Sequence, residues 1–567
     1  MVDLECIPYA VGHADEGVSL LVRMGPYRIL LDCGLRQIDV LREPVVWYPD
    51  RPGNSPEPNH PSDLTLSDLP ADLVLCSHAH PDHARGLLAL HQAFPQLPIC
   101  GSEVTAHLLP LNWPATEVPL FCQALPWRSP VELAAGLSVE LFPAGHLPGA
   151  AAFLLTYKPA LAESESRPYT LLYTGDFFLS NSRLVEGLPL EELRGSAPDV
   201  LIVEGSFGTA RHAHRRQQEN QLAERISQAI KQGTSVMLPV PVLGLGQELL
   251  MLLRSHHYFT GQNLDIWVEE AIAIGCDAYL DILPQLPANV RNFAQNQPLF
   301  WDQRIRPRVQ RLRSEQRDSL GKPACIVLVD QSVDVQAYCQ HSDWLILLPR
   351  QMAGDTSVLL ENIQAAAQTQ PAELSLETYL LAEHSDGPAT TQLIHNLRPQ
   401  HIVFVHGSST YLADLTGLDE LSNRYHLHCP AAGTRVELPI AETFQPTQPE
   451  TNTSYEGEVA ELGSVVTISL PQALTDDPRW RNFADTGLVV GSWQGEEFVI
   501  RGLSAQDILL ERSPAMTAIN CCATCVYYRG QRCWNQTSAL FGFKVSPEGY
   551  CPVYEPLDFE SGHDLES

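Results

Sequence analysis

The sequence predicts an α/β body followed by a small, separate, cysteine-rich module. Three observations predict it. Between residues 17 and 405, short apolar runs of strand character alternate with stretches of helical periodicity. Residues 439–460, with Pro446, Pro449 and a Thr/Gln/Asn/Glu bias, read as a linker. Beyond it, five of the 14 cysteines crowd into residues 521–551.

Taken in order, Gly17 to Arg23 and Tyr27 to Asp32 read as strands broken by a turn, and residues 43–68, rich in Pro, Asn, Asp and Ser, as an irregular loop. Leu73 to Cys76 is a buried strand, and Ala84 to Phe94 carries apolar residues at helical spacing. Strand-like runs follow at 138–143, 151–156, 170–174 and 200–203, and a helix is expected at 216–231. The alternation continues through a strand at 236–240, a helix at 246–254 and strands at 325–329, 344–348 and 402–405, with a hairpin around Val489–Arg501. At 567 residues the chain is too long for one hydrophobic core.

Composition narrows the functions. The chain has 36 Lys+Arg against 67 Asp+Glu, a net charge of −31, so it repels polyanions at long range and does not suit non-specific duplex binding. A locally basic site or a bound metal still permits selective contact with nucleic acid. No run of eighteen apolar residues occurs, so no membrane span is expected, and the start at Met1 has no basic-then-apolar pattern of a secretory signal. A reducing, cytoplasmic setting is expected, where clustered cysteines hold metal more often than they form disulfides. The nine scattered cysteines up to Cys429 read as buried thiols.

The sharpest motif is Ser77-His78-Ala79-His80-Pro81-Asp82-His83. His78 and His80 are two apart, so in an extended segment both point to one side. Asp82 and His83 follow as the chain turns into a helix near Ala84, and imidazole with carboxylate suits zinc. His146, Asp176 and His406 each follow an apolar run and sit beside a glycine, where a loop can carry a ligand to a common edge.

These residues resemble the metallo-β-lactamase fold. Leu31-Asp32-Cys33-Gly34 resembles its first motif, the His78–His83 run the second, Gly145-His146 the third and Thr174-Gly175-Asp176 the fourth. The resemblance implies an αββα sandwich with two zinc ions: His78, His80 and His146 on one, Asp82, His83 and His406 on the other, Asp176 between them, and Asp32 orienting the ligands. Some 230 residues separate Asp176 from His406, and their markers resemble the β-CASP nucleases: Val203-Glu204-Gly205-Ser206-Phe207-Gly208 as motif A, Ala382-Glu383-His384-Ser385-Asp386 as motif B, Val405-His406-Gly407 as motif C, and Leu238 to Leu250 as the opening of the inserted domain.

The implied layout is a metallo-β-lactamase domain in two parts (1–207 and 384–438) around a β-CASP insertion (208–383), then the linker (439–460) and the C-terminal module (461–567). Two departures stand out: Leu245 occupies a position where the family has Arg, and Val329-Asp330-Gln331-Ser332 with Gln351-Met352-Ala353-Gly354 replace a Gly-Met-rich stretch. Loss of that Arg removes a planar donor fork for phosphate.

The resemblance implies a hydrolase that cleaves RNA, with single-stranded DNA as an alternative substrate, using Asp82, Glu204 and His384 as catalytic groups. A homodimer or an RNA-processing complex is the candidate assembly. Two other readings compete: a small-ester hydrolase on the same fold, and a non-catalytic metal-binding regulator. Basic residues at Arg211–Arg216 are placed to touch phosphates, and those between Arg304 and Lys322 serve either that role or a solvated charged helix or loop. Cys522, Cys525, Cys533 and Cys551 supply four thiolates, enough for one structural zinc or one [4Fe–4S] cluster.

Overall fold

The computed structural model describes residues 4–13, 16–42, 69–159, 167–339, 342–350, 359–363 and 373–440, with short segments between 458 and 535. The chain divides into two units, Met1–Pro449 and Glu450–Ser567.

In the first unit, β1 (Leu4–Val11), β2 (Val18–Met24), β3 (Tyr27–Leu31), β4 (Leu73–Leu75), β5 (Ile99–Ser102) and β6 (Cys122–Leu125) lie side by side in that order. A closing strand at Val436–Glu437 pairs with β1. A second sheet carries β7 (Val131–Ala134), β8 (Leu137–Pro143), β9 (Ala151–Tyr157), β10 (Tyr169–Tyr173) and β11 (Val200–Glu204), then strands His401–Val405 and His426–His428. The core between the sheets interleaves Leu20, Val22, Ile29 and Leu31 with Leu141, Phe153, Leu155 and Leu171. Apolar runs such as Leu73–Leu75 and the first four residues of Val200–Glu204 are buried along their whole length, as parallel strands covered on both faces must be. The sandwich is the one expected.

Residues 235–379 supply a third sheet, β12 (Ser235–Val240), β13 (Asp265–Val268), β14 (Arg308–Arg311), β15 (Ile326–Asp330), β16 (Trp344–Pro349) and β17 (Leu374–Tyr379), ordered β14-β13-β15-β12-β16-β17 and parallel throughout. Helices Arg215–Lys231, Leu245–Ser255 and Glu270–Asp281 accompany it. Part of the basic stretch expected as helix or loop is therefore strand β14. Its apolar signal is weak because it is an edge strand with one buried residue, Val309. Four of the arginines there pair with acids, Arg304 with Asp302, Arg308 with Asp265, Arg311 with Asp277 and Arg317 with Glu269, while Arg306 and Arg313 are exposed.

Three smaller expectations change. A short helix, Pro81–Ala84, already takes in Asp82 and His83, since proline is at home in a first helical turn, and the expected helical stretch follows as Leu87–Ala93. Eight of the nine scattered cysteines are buried thiols, but Cys429 is exposed beyond the strand His426–His428. Strand Glu458–Leu462 begins inside the stretch read as linker and pairs with Val465–Ser469. In the second unit Val489–Gln494 and Glu497–Gly502 form the expected hairpin. Cys525 and Cys533 are buried about a short hairpin of Tyr528–Arg529 and Arg532–Cys533, while Cys522 and Cys551 lie outside the described residues. No helix among the described residues is long and apolar enough to cross a membrane.

A buried ion pair ties the third sheet to the loop after β17. The Arg215 guanidinium donates to Glu248 at 3.0 Å and to the Ala382 carbonyl, while Glu248 also accepts from Ser182 Oγ and from the Arg183 and Leu184 amides. Arg215 is therefore not placed to touch phosphate, whereas Arg211 and Arg216 are exposed. Removing one partner strands the other as a buried charge. Arg215→Ala should lower unfolding stability by about 3–5 kcal/mol in chemical denaturation, and the paired Arg215→Met, Glu248→Met should recover much of it.

Three histidines cluster where strand His401–Val405 meets His426–His428. His401 Nε2–H donates to the Pro439 carbonyl at 2.9 Å, so its Nδ1 accepts from His428 Nε2–H at 3.0 Å, and the His401 ring stacks on His426. Burial, with His401 and His426 adding to it, holds His428 down at about 4. In the unfolded chain an imidazole titrates near ~6.5. The unfolded state therefore binds more protons between these values, and the stability present above about pH 6.5 is lost as pH falls toward 4. Thermal midpoints measured across that window should fall less steeply in His428→Asn than in the parent.

Candidate metal centre

Most of the singled-out polar residues of the first unit sit at strand ends along one edge of the sandwich, with Asp82 and His83 in the helical turn Pro81–Ala84 and His384 on the loop between β17 and the helix Gly387–Leu397. Asp32 follows β3, His78 and His80 follow β4, His146 follows β8, Asp176 follows β10, Glu204 ends β11 and His406 follows His401–Val405. β3 and β4 are parallel, as are β10, β11 and His401–Val405, so their carboxyl ends converge. The approach is close. A Cβ on Gly34 would stand 1.7 Å from the Asp82 carbonyl, so only glycine lets the β3 loop pass there. Asp32 and His406 adopt left-handed backbone at φ 58° and 52°, a strain that the surrounding packing must bear.

Two donor groups result. His78 Nε2 and His146 Nε2 lie 3.2 and 2.9 Å from His80 Nδ1. In the second group His83 Nε2 and His406 Nδ1 each lie 3.3 Å from Asp176 Oδ1, and His406 Nε2 lies 3.3 Å from Asp82 Oδ2. The other Asp176 oxygen, Oδ2, is 3.7 Å from both His78 and His146, so this carboxylate spans the two groups. Within each group the ligand atoms lie within 4.8 Å of one another.

Whether these residues fit metal is decided by what they leave unpaired. Asp82 Oδ1, His83 Nε2 and Asp176 Oδ1 are buried without a hydrogen-bond partner among the described residues. His83 Nε2 and Asp176 Oδ1 are close but not aligned for a hydrogen bond. Lone pairs aimed at a shared point, rather than at each other, suit a cation. The donor set fits a pair of divalent ions.

Further groups fix the donors. Asp32 accepts from the Ser77 amide at 2.6 Å, the Ser77 hydroxyl at 2.7 Å and the Tyr173 hydroxyl at 2.5 Å, and receives His83 Nδ1–H at 2.8 Å. That bond leaves His83 Nε2 as the lone-pair nitrogen. Ser77, Tyr173 and Ser206, which donates to Glu204, carry roles that the sequence reading missed. Ser77 and Ser206 lie inside quoted motifs, where a hydroxyl beside a ligand is the available signal. Nothing in the sequence separates Tyr173 from a core tyrosine.

Beside the donors, Glu204 and His384 form a pair. Glu204 accepts from the Phe177 amide at 2.6 Å, and His384 Nδ1 lies 2.9 Å from its other oxygen. Burial works against charge on His384, but the Glu204 carboxylate outweighs it and holds the imidazole above its ordinary value. Burial alone would raise Glu204, and His384 brings it down to about 2. The His384 and His146 rings are 4.5 Å apart, so the pair faces the first donor group.

The comparisons with known proteins agree with this geometry. Residues 27–235 match the beta-lactamase superfamily domain. An uncharacterised protein of Synechocystis sp. is 45% identical over 98% of this chain and 97% of its own length. The endoribonuclease ysh1 of Schizosaccharomyces pombe is 24% identical over 65% of this chain, and a cleavage and polyadenylation specificity factor subunit 3 of Dictyostelium discoideum is 23% identical over 73%. The chain belongs to the metallo-β-lactamase superfamily, in its β-CASP branch. It spans about half the length of those two named relatives, 52% and 54%.

Against the β-CASP pattern, Leu245 is the buried first residue of the helix Leu245–Ser255, capped by Gly244 at φ 93°, and puts no cation at the site. Val329 and Asp330 end β15, while residues 351–354 lie outside the described residues.

Because Asp176 meets both donor groups, its removal should uncouple metal from stability. A chelator should lower the thermal midpoint of the parent protein, and added zinc should restore it through binding to the folded state alone. Asp176→Ala should show little response to either, with less metal retained on elemental analysis.

Proposed function

We propose that this chain is a zinc-dependent phosphodiesterase that cleaves single-stranded RNA. The observation that carries the proposal is the His384–Glu204 pair at 2.9 Å beside the two donor groups. Donor groups alone serve any hydrolase of this superfamily, whereas a buried imidazole paired with a carboxylate next to them suits a departing alkoxide. The names of the relatives support an RNA substrate, and the inserted third sheet supports one larger than a simple ester.

In this reading His78, His80 and His146 would hold one zinc and Asp82, His83 and His406 the other, with the Asp176 carboxylate available to both groups. Zinc held there supplies a water made nucleophilic at neutral pH and positive charge opposite the phosphate oxygens. The chain's residues do the rest. Asp82, fixed by His406, orients the attacking water and accepts its proton. His384 donates the proton that the leaving oxygen needs, and Glu204, bonded to Nδ1, keeps that proton on Nε2. Arg211 and Arg216, exposed beyond motif A, guide the strand.

A second reading is a metal-binding regulator without catalysis. Leu245 at the phosphate wall and the net charge of −31 favour it. Zinc-loaded protein incubated with end-labelled single-stranded RNA and DNA decides between them. Cleavage is expected, with His384→Ala slowing turnover about 10²- to 10⁴-fold while zinc content holds, and Asp82→Ala losing both. Binding without cleavage would establish the regulator instead.

In the second unit Cys525 and Cys533, both buried, are proposed to join Cys522 and Cys551 in a four-thiolate site for zinc or a [4Fe–4S] cluster. Brown protein from anaerobic purification decides for iron, and colourless zinc-loaded protein decides against it.

A further inference from the structure

On the Nε2 side of His80, the β-CASP insertion and the motif B loop bring together polar groups that the roles above do not use. His80 Nε2 lies 3.3 Å from the Leu243 carbonyl, where the chain enters the helix Leu245–Ser255. A Cβ placed on Gly244 would meet Glu383 Oε1 at 3.3 Å, Leu147 Cδ1 at 3.3 Å and His80 Nε2 at 3.5 Å. Gly244 thus lets a carboxylate, a methyl group and the imidazole of a proposed metal ligand come together more closely than a side chain would allow.

Among the described residues no hydrogen bond or ion pair engages the Glu383 carboxylate. The nearby guanidinium of Arg215 is committed to Glu248 and the Ala382 carbonyl. Tyr279 and Tyr379, both within electrostatic reach of Glu383, bury hydroxyls that also lack partners among the described residues. Leu245, next along the chain, adds no charge. Burial pushes the Glu383 carboxyl up to about 7; its oxygens accept from hydroxyl groups, and a phenol can donate in return.

We infer that Glu383 is a specificity-determining residue that accepts a hydrogen bond from a ribose 2′-hydroxyl of the strand held at the metal centre, and so selects RNA over DNA. The inference rests on the phosphodiesterase reading and deepens it. The 2′-hydroxyl is both donor and acceptor, and it is the group by which a protein distinguishes the two nucleic acids at one nucleotide. A carboxylate serves this purpose where the neighbouring wall offers no phosphate contact. Glu383 also lies near the amino end of the helix Leu245–Ser255, where a negative charge favours the helix. That contribution does not depend on the sugar.

The test uses zinc-loaded full-length protein with matched single-stranded RNA, DNA and RNAs carrying one 2′-deoxy nucleotide at successive positions. In the parent, one deoxy position near the cleaved bond should lower kcat/KM by about 10- to 100-fold, the size expected for a hydrogen bond to a charged group. Glu383→Gln should shrink the RNA-over-DNA ratio by a similar factor, and the deoxy substitution should then cost little more, because both changes remove one interaction. Additive losses, or an unchanged ratio in Glu383→Gln, would overturn the role of Glu383 while leaving the nuclease reading intact. Parent protein that cleaves neither polymer overturns both. Should Glu383→Gln fail to fold, the deoxy series on the parent still decides, since equal rates at every position exclude a 2′-hydroxyl contact.

Discussion

Four carboxylates gathered at one edge of the sandwich set the terms for this fold. Two unit negative charges 4 Å apart repel by about 4 kcal/mol at an effective dielectric of ~20, so each must find compensation. Asp32 finds it in Ser77, Tyr173 and His83, and Glu204 in the Phe177 amide, Ser206 and His384. Asp82 and Asp176 each keep an oxygen that no protein group satisfies among the described residues. The protein therefore solves the charge problem internally for the two supporting carboxylates and leaves it open for the two that face the donor histidines. A divalent cation held there would meet both oxygens and bring no further side chain into the pocket.

That economy depends on the strands beneath. Parallel pairing of β10 with β11, and of β11 with His401–Val405, sets Asp176, Glu204 and His406 at neighbouring strand ends although up to 230 residues separate them in sequence. Both faces of these strands are buried, so a one-residue slip would exchange the residues packed on the two faces and move every ligand off the edge. The left-handed turns at Asp32 and His406 come directly after such strands, where the packed core holds a backbone that a free loop would relax.

Much of this was readable beforehand because apolar runs mark buried parallel strands, and the His-x-His-x-Asp-His spacing marks one loop. β4, β10, β11 and β12 fall within a residue or two of the expected runs. Single residues such as His146 or His406 gained meaning only through their order along the chain. What stayed hidden was partnership across distance. Arg215 reads as one more basic residue after motif A, yet its burial against Glu248 makes it structural. β14 carries arginines at an edge, so its period was lost among charges. Tyr173 looks like core until its hydroxyl meets Asp32 from 141 residues away.

The charge distribution bears on how such a site meets a polyanion. Arg304, Arg308, Arg311 and Arg317 are spent on neighbouring acids, and Leu245 withholds a cation from the wall beside His80. An acidic chain so arranged gains little from long-range attraction, which in any case fades beyond the ~8 Å Debye length at physiological salt. Recognition must then come from contacts a few ångströms long. Cations between the donor groups can neutralise one phosphate, and a carboxylate such as Glu383 can reward a neutral hydroxyl beside it. On the proposed reading, a surface built in this way would discriminate among strands at the nucleotide in the site rather than by gathering nucleic acid at large.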